Sequence, residues 1–551
     1  MKKFLPIFIV AGLFFSCQRE EADTPFATNT DISVLPSTET KASDNGLLGW
    51  VALTGKTYIS AEEAQETALA TAMQMREVEG IVTKAPLKIG SIEVVKGDTR
   101  KPYVPTKGNA KPEQADVYIV NFANNQGYVV TSADRRVPGV LAYNSYGHLG
   151  DTISNPGQAI LFSYMQEYIE EQRADFEANK EKLATHAEEA IFNRLSKEQQ
   201  EELILRGLFD RKGKRVKTKY YDYYSDDSYP REGFNSHQEY WEWFCHKKDR
   251  GPEYMDKGYI KYGEWQTKYI KPSLIKTLWG QQRAYNDMIP IQCDGDQAPV
   301  GCVATAVGQL LAYHKKPAVF KGRTMHWGDM TKIDNGDMFS NIYSHNVWNN
   351  STAKEDIQYL LAHLGDNDLL AMEYTCDKGS GSNRALETFH NLGFNAYGTN
   401  YDRSKVISEI KNNKPIYIEG CSIKKTHKFL GIKYDTSYHN CHAWIIDGYI
   451  LRERILKAYY VVSCEEIDAI TSEEGYYSTE SLELFHHNFG WGESDLFLDG
   501  SANKYGISNS ISGWYKIDIF YHKYNLREES RKYKSTCEND FKYKNNIIII
   551  N

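Results

Sequence analysis

The sequence predicts an α+β protein of 551 residues, in which a small helix-and-sheet domain precedes a larger mixed domain. Three observations predict it. A capped helix near residue 61 is followed by a hairpin of β-branched and aromatic residues. A long charged helical stretch fills residues 155–205. A second apolar helix opens at Cys302, and a buried strand opens far downstream at His442.

Length allows about three or four domains' worth of chain, ample for a buried core. A net charge of −8 gives no general reason to expect nucleic acid or acidic substrates. The 41% apolar content and mean hydropathy of −0.57 fit a globular rather than a membrane-spanning chain.

The first residues form an address. Met1-Lys2-Lys3 is basic, and Phe4 to Phe15 is an apolar stretch too short to span a bilayer. Ser16-Cys17 then precedes the acidic, polar run Gln18 to Asp23. Cys17 so placed resembles the lipidation site of bacterial lipoproteins, although Phe14 and Phe15 are bulkier than usual there. An ordinary signal peptide cleaved nearby is the alternative. Residues 1–17 are therefore expected to be a lipoprotein-type signal peptide and 18–45 a tether. The chain is expected to be exported, an outer-membrane or cell-surface lipoprotein meeting the membrane through its lipid anchor alone.

Residues 46–150 carry the small domain. Ser60-Ala61-Glu62-Glu63 is a capping box, followed by Ala64, Leu69, Ala72 and Met73 at roughly helical spacing. Val117–Phe122, a turn at Asn124–Gly127 and Tyr128–Asp134 read as a hairpin, with Val140–Tyr143 as a third strand.

Residues 151–272 read as a charged connecting region. Phe162, Met165, Ile169, Phe176 and Leu183 make an intermittent stripe, and Ser196 caps a second helix. A solvated helical hairpin packed on the rest of the chain is the expectation. The basic run from Arg211 to Lys219 precedes Tyr220-Tyr221-Asp222-Tyr223-Tyr224. Basic and aromatic residues so interleaved suit single-stranded nucleic acid. In an exported acidic protein that reading ranks below an exposed loop nicked during activation, so no nucleic-acid partner is expected. The cut is expected within 206–272.

The most informative stretch runs from Pro299 to Gln309, where Gly301 precedes a single cysteine at a helix start. The helix N-terminus favours a thiolate at Cys302, and its backbone N–H is free to donate to a substrate carbonyl. A buried structural cysteine is the commoner fate of such a residue. The rest of the chain shifts the balance. His442 lies 140 residues further on and opens an apolar strand ending in Asp447-Gly448; Asn488 follows. Papain-like thiol proteases use that order and about that separation. An imidazole takes the thiol proton, an Asn oxygen fixes the imidazole tautomer, and a Gln amide with the cysteine N–H stabilises the oxyanion. Cys302, His442, Asn488 and Gln281 fill these roles.

Trp279-x-Gln281, Gly301-Cys302-Val303-Ala304-Thr305-Ala306, His442-Ala443-x-x-Ile446-Asp447-Gly448 and Asn488-x-Gly490-Trp491-Gly492 together resemble streptopain-type cysteine proteases, the C10 peptidases. The resemblance covers about residues 273–500. It implies a papain-like fold and an endopeptidase made as a zymogen, with Cys302 the nucleophile, His442 the base, Gln281 the oxyanion donor and Asn488 orienting His442. It also implies a preference for an apolar residue one position N-terminal to the scissile residue. Phe489 stands where the family usually has Trp, so shielding of the His–Asn pair is expected to differ. Gln282, next to Gln281, is a second candidate donor that the Trp279 spacing disfavours. The piece from Gly127 to Asp134 resembles the inhibitory propeptide of these proteases, which would cover the cleft or hold Cys302 and His442 apart; an independent binding or folding domain is the alternative.

The catalytic domain is expected over 273–520 and a divergent tail over 521–551. The seven other cysteines show no CxxC pairing and are odd in number, so they cannot all pair within the chain. His439, Cys441, His442, His486 and His487 lack zinc-site spacing, so neither metal nor cofactor is expected. The expected partners are protein or peptide substrates and the chain's own propeptide. Two alternatives stay open: a surface binding protein on an inactive protease-like scaffold, and a thiol acyltransferase.

Overall fold

The protein is described here by a computed structural model covering residues 57–81, 86–97, 99–104, 115–150, 152–153, 156–193, 196–205, 210–213, 257–277, 279–281, 285–293, 296–331, 351–374, 384–421, 428–429, 432–434, 441–461, 476–490, 512–520 and 546–551. The signal peptide, Cys17, the tether, Gln282 and most of the expected activation region lie outside these residues.

Ser60 caps helix α1 (Ala61–Val78), its hydroxyl accepting from the Glu63 amide at 3.2 Å, as a capping box requires. The helix buries Ala61, Ala64, Ala68, Ala72 and Met75, small residues that let it lie close on a sheet. Met73, expected on that face, points outward. Strands β1 (Ile89–Lys96), β2 (Thr99–Pro102), β3 (Val117–Phe122), β4 (Tyr128–Ser132) and β5 (Val140–Asn144) follow. The β3–β4 hairpin and third strand are those the sequence predicts, with Val120 opposite Val129 and Val130 opposite Ala142.

Helix α2 (Pro156–Phe192) is 37 residues long, and α3 (Lys197–Leu205) follows it. The first half of α2 packs on the rest of the chain, as expected, and does so deeply. Ile160, Phe162, Met165 and Ile169 are buried in one cluster with Trp444, Ile446 and Phe485. The intermittent stripe understated this, because aromatic and long side chains near the start carry the burial while charge fills the later turns.

The larger body contains β6 (Lys257–Tyr262), β7 (Gln266–Lys271), α4 (Cys302–His314), α5 (Ser351–Leu364), β8 (Ala396–Asn400), α6 (Arg403–Lys411), β9 (Ile416–Cys421), β10 (Cys441–Val461), β11 (Tyr476–Asn488), β12 (Ser512–Lys516) and β13 (Asn546–Ile550). Among the described residues one sheet of 13 strands runs through the small domain and the larger body, in the order β8-β13-β9-β10-β11-β12-β5-β4-β3-β1-β2, with β6 and β7 also paired to β10. The join between the small domain and the larger body is antiparallel, Trp514 opposite Tyr143 and Tyr515 opposite Ala142.

Alternation along β10 divides the core. Trp444 and Ile446 face the α2 cluster, whereas Ala443 and Ile445 face the cluster of α4 and α5. The α+β expectation is met.

Two boundaries move. Strands β6 and β7 pair with β10, so the sheet of the larger body begins before residue 273. The end of the expected divergent tail forms a strand: Ile547 to Ile550 are buried, β13 pairing with β8 on one side and β9 on the other, while 521–545 lie outside the described residues. Four consecutive β-branched residues suit a strand covered on both faces, which shows no alternation to read.

Candidate active site

Cys302 is the first residue of α4, and Gly301 before it has φ 90°, a conformation that favours glycine. The helix behind it is apolar from Val303 to Ala312 and packs against α5. Val300 donates its N–H to the Gln281 carbonyl at 2.7 Å, which ties the Gln281 loop to the approach to Cys302. The buried Gln281 side chain donates to the Gly490 carbonyl at 3.3 Å. Gln281 is therefore tied to the approach to the helix that starts at Cys302, the side on which the sequence leads one to expect an oxyanion donor.

The Cys302 thiol is half-buried and free. Burial pushes its pKa up to about 11; the Ala443 backbone N–H favours the thiolate, and the Glu419 carboxylate opposes it. The depressed pKa expected at a helix N-terminus is thus overridden here, since desolvation penalises the charged form more than the helix end favours it. Among the described residues, His442 is not one of the groups acting on this thiol.

His442 is on the other face of the sheet. It is 4% exposed, stacks on Trp444 at 6.2 Å between ring centroids and 17° between planes, and its Nε2 lies 2.9 Å from the Phe489 carbonyl. Burial drives its pKa down to about 4, with the Phe489 carbonyl opposing that shift, so the ring is neutral with Nε2–H donating. Its neighbour from α2 is Gly157. A Cβ there would stand 2.8 Å from His442 Cδ2 and 2.5 Å from Phe489 Cδ1. Phe489, the departure from the family's Trp, thus holds His442 through its carbonyl and packs its ring on Trp444, His487 and Tyr515.

Asn488 is brought to Gln309 rather than to His442. Its Oδ1 accepts from Gln309 Nε2 at 3.3 Å and from the Gly490 amide at 3.1 Å, while its Nδ2 donates to the Thr277 carbonyl at 3.0 Å. Gln309 Oε1 in turn accepts from Thr277 Oγ1 at 2.9 Å and from the Trp279 amide at 3.3 Å. This buried knot locks the Gln281 loop, α4 and the end of β11 together. Gln309 lies outside every family motif that marks the site in the sequence. Its signal was a glutamine two turns after Cys302, on a helix otherwise built of small and apolar residues.

The other polar residues have separate duties. His486 Nδ1 lies 2.6 Å from Asp447 Oδ1, and the second Asp447 oxygen accepts from Ser273 Oγ at 2.7 Å and the Ile275 amide at 2.9 Å. Asp447 thereby anchors the segment leading to Gln281, and Trp444 Nε1 donates to His487 Nδ1 at 2.9 Å. Among the described residues no cluster could hold a metal ion, and no helix is long and apolar enough to cross a membrane.

Comparison with known proteins supplies two family matches. Residues 279–497 match the Peptidase C10 family, and residues 56–169 match the Spi protease inhibitor family. The inhibitor match ends inside α2, past residue 150, and so includes Gly157. Among curated proteins, the chain is 27% identical over 188 residues to the thiol protease/hemagglutinin PrtT of Porphyromonas gingivalis, covering 30% of this chain and 22% of that protein. It is 22% identical over 364 residues to streptopain of Streptococcus pyogenes, covering 61% of this chain and 73% of that protein. Among solved structures, prointerpain A of Prevotella intermedia aligns over 74% of this chain and 96% of its own, at 16% identity and a TM-score of 0.34. Active interpain A of the same organism aligns over 51% and 95%, at 20% identity and a TM-score of 0.28.

Proposed function

The chain belongs to the Peptidase C10 family, as a cysteine protease with an inhibitor segment ahead of its catalytic part, and from that premise we propose that it is an exported endopeptidase made as a zymogen. The observation that carries this reading is the division of the site. The nucleophile and Gln281 are assembled on one face of the sheet, while the base is stored on the other beneath Gly157 of the inhibitor segment.

The Ala443 N–H reaches the Cys302 thiol, so the backbone of His442 is already next to the nucleophile. Once the inhibitor segment leaves, the start of β10 has to shift against β9 so that the imidazole passes from the α2 face of the sheet to the Cys302 face. His442 then takes the thiol proton, and Cys302 attacks the peptide carbonyl. The oxyanion accepts from the Cys302 N–H and Gln281 Nε2. His442 passes the proton to the departing amine, and water hydrolyses the thioester by the same route reversed. Asn488 orients His442 in that open state. Maturation cuts within 206–272. Before it, Cys17 carries a lipid that holds the chain at the outer membrane or cell surface.

The test is to incubate the chain from residue 18 with denatured casein under reducing conditions, beside a Cys302→Ala control, and follow both by mass spectrometry. Casein cleavage and loss of the N-terminal region in wild type alone are expected. A wild-type chain that stays whole and inert, even after limited cleavage in 206–272 by another protease, overturns the reading.

A further inference from the structure

One carboxylate beside Cys302 takes no part in the hydrolysis above. Glu419 lies on β9 directly opposite Ala443 of β10, the residue whose N–H reaches the Cys302 thiol. Strand alternation puts it on the nucleophile's side, since Tyr417, two residues back, is buried in the α4 cluster with Ala443 and Ile445. The Tyr417 hydroxyl donates to Glu419 Oε1 at 2.6 Å. That bond fixes the carboxylate on a fully buried post, close enough for its charge to act on Cys302.

Its other oxygen has no hydrogen-bond partner among the described residues, and no lysine, arginine or histidine among them pairs with it. Burial raises the Glu419 pKa, against the Tyr417 hydrogen bond. A half-buried carboxylate with no counter-ion among the described residues is a costly group to keep in a core wall. A cation arriving with the substrate offsets that cost, whereas an apolar side chain in the same place increases it by removing the remaining water.

We propose that Glu419 is a specificity-determining residue that selects substrates with a lysine or arginine adjacent to the scissile bond, in place of the apolar residue the family resemblance implies. The inference rests on the peptidase reading and deepens it. Tyr417 is the positioning residue that aims the carboxylate.

The test uses the matured enzyme and fluorogenic peptides that differ only in carrying Lys, Arg, Leu or Glu at each of the two positions before the scissile bond. Comparing kcat/KM ratios between peptides cancels any difference in active fraction between variants. Wild type is expected to prefer Lys or Arg over Leu at least tenfold at one of the two positions. Glu419→Gln, which retains an acceptor for Tyr417, is expected to lose most of that preference, and Glu419→Leu to invert it. Cleavage without a cationic preference, or a preference that survives in both variants, overturns the assignment of Glu419 and leaves the peptidase reading standing. Failure of wild type to cut any peptide or casein overturns both.

Discussion

Gly157 lies against His442, with no room between them for a methyl group: a Cβ would fall 2.8 Å from the imidazole and 2.5 Å from the Phe489 ring. On the proposed function, this close approach is how the inhibitor segment holds His442 away from Cys302. Adding a methyl at Gly157 should cost this closed packing about 1–3 kcal/mol. Gly157→Ala is expected to shorten the lag before self-processing roughly tenfold. The lag is read from the time course of casein cleavage at fixed protein concentration. A lag equal to that of wild type would sink the idea that this contact stores the base.

The thiol gives a second reading of the same state. With its pKa held at about 11 by burial and Glu419, Cys302 in the intact chain should be roughly a thousandth thiolate at pH 8. Iodoacetamide labelling at Cys302 is expected to be slow there and to rise steeply toward pH 11. After maturation, with His442 free to pair with it, labelling should become fast near neutral pH. Mass spectrometry of the Cys302 peptide measures both rates; equal rates before and after maturation would count against the stored-base arrangement.

The sequence made several of these elements legible because the signals were local. The Ser60 cap, the Val117–Ser132 hairpin and the helix from Cys302 each follow from a few neighbouring residues. Gln281 and Cys302 were found by spacing, and the structure ties their backbones together through Val300. What was not legible is set by tertiary contact. Nothing local says that Ile547 to Ile550 will insert between β8 and β9, or that Asn488 will spend its amide on Thr277 and Gln309. His442 on the far face lies against Gly157 of α2, a contact between residues far apart in the chain that no local signal announces.

Acid should loosen the closed state through His442. Its pKa of about 4 in the fold lies below the ordinary 6.5, so the unfolded or released ring binds a proton more readily. This contribution to stability is complete above about pH 6.5 and is lost as pH falls toward 4, with roughly 2 kcal/mol gone by pH 5. His487, also held low by burial, acts in the same direction. Glu79 acts in the other: burial raises its carboxyl pKa, so its contribution is lost as pH rises. Urea unfolding of the Cys302→Ala chain at pH 7 and pH 5 measures the sum. A Cys302→Ala/His442→Phe chain is expected to show a smaller loss between those two values; an unchanged loss would mean that His442 is not the group responsible.

Asn488 and Gln309 should behave as one unit in stability. Each holds the other, and between them they satisfy the Thr277 hydroxyl and carbonyl and the amides of Trp279 and Gly490. Removing either side chain strands buried partners, at about 1–3 kcal/mol each. Once one is gone, losing the second costs less, so Asn488→Ala, Gln309→Ala and the double variant should give a coupling energy of roughly 0.5–3 kcal/mol in a double-mutant cycle. Urea unfolding in the Cys302→Ala background makes the measurement without self-cleavage. Additive losses would mean that the two amides act independently, and that Asn488 is committed to some partner other than Gln309. The coupling also bears on catalysis. If Asn488 is to orient His442 after maturation, the knot around Gln309 must open or share its acceptor, so Gln309→Ala should shift the pH profile of the matured enzyme as well as its stability.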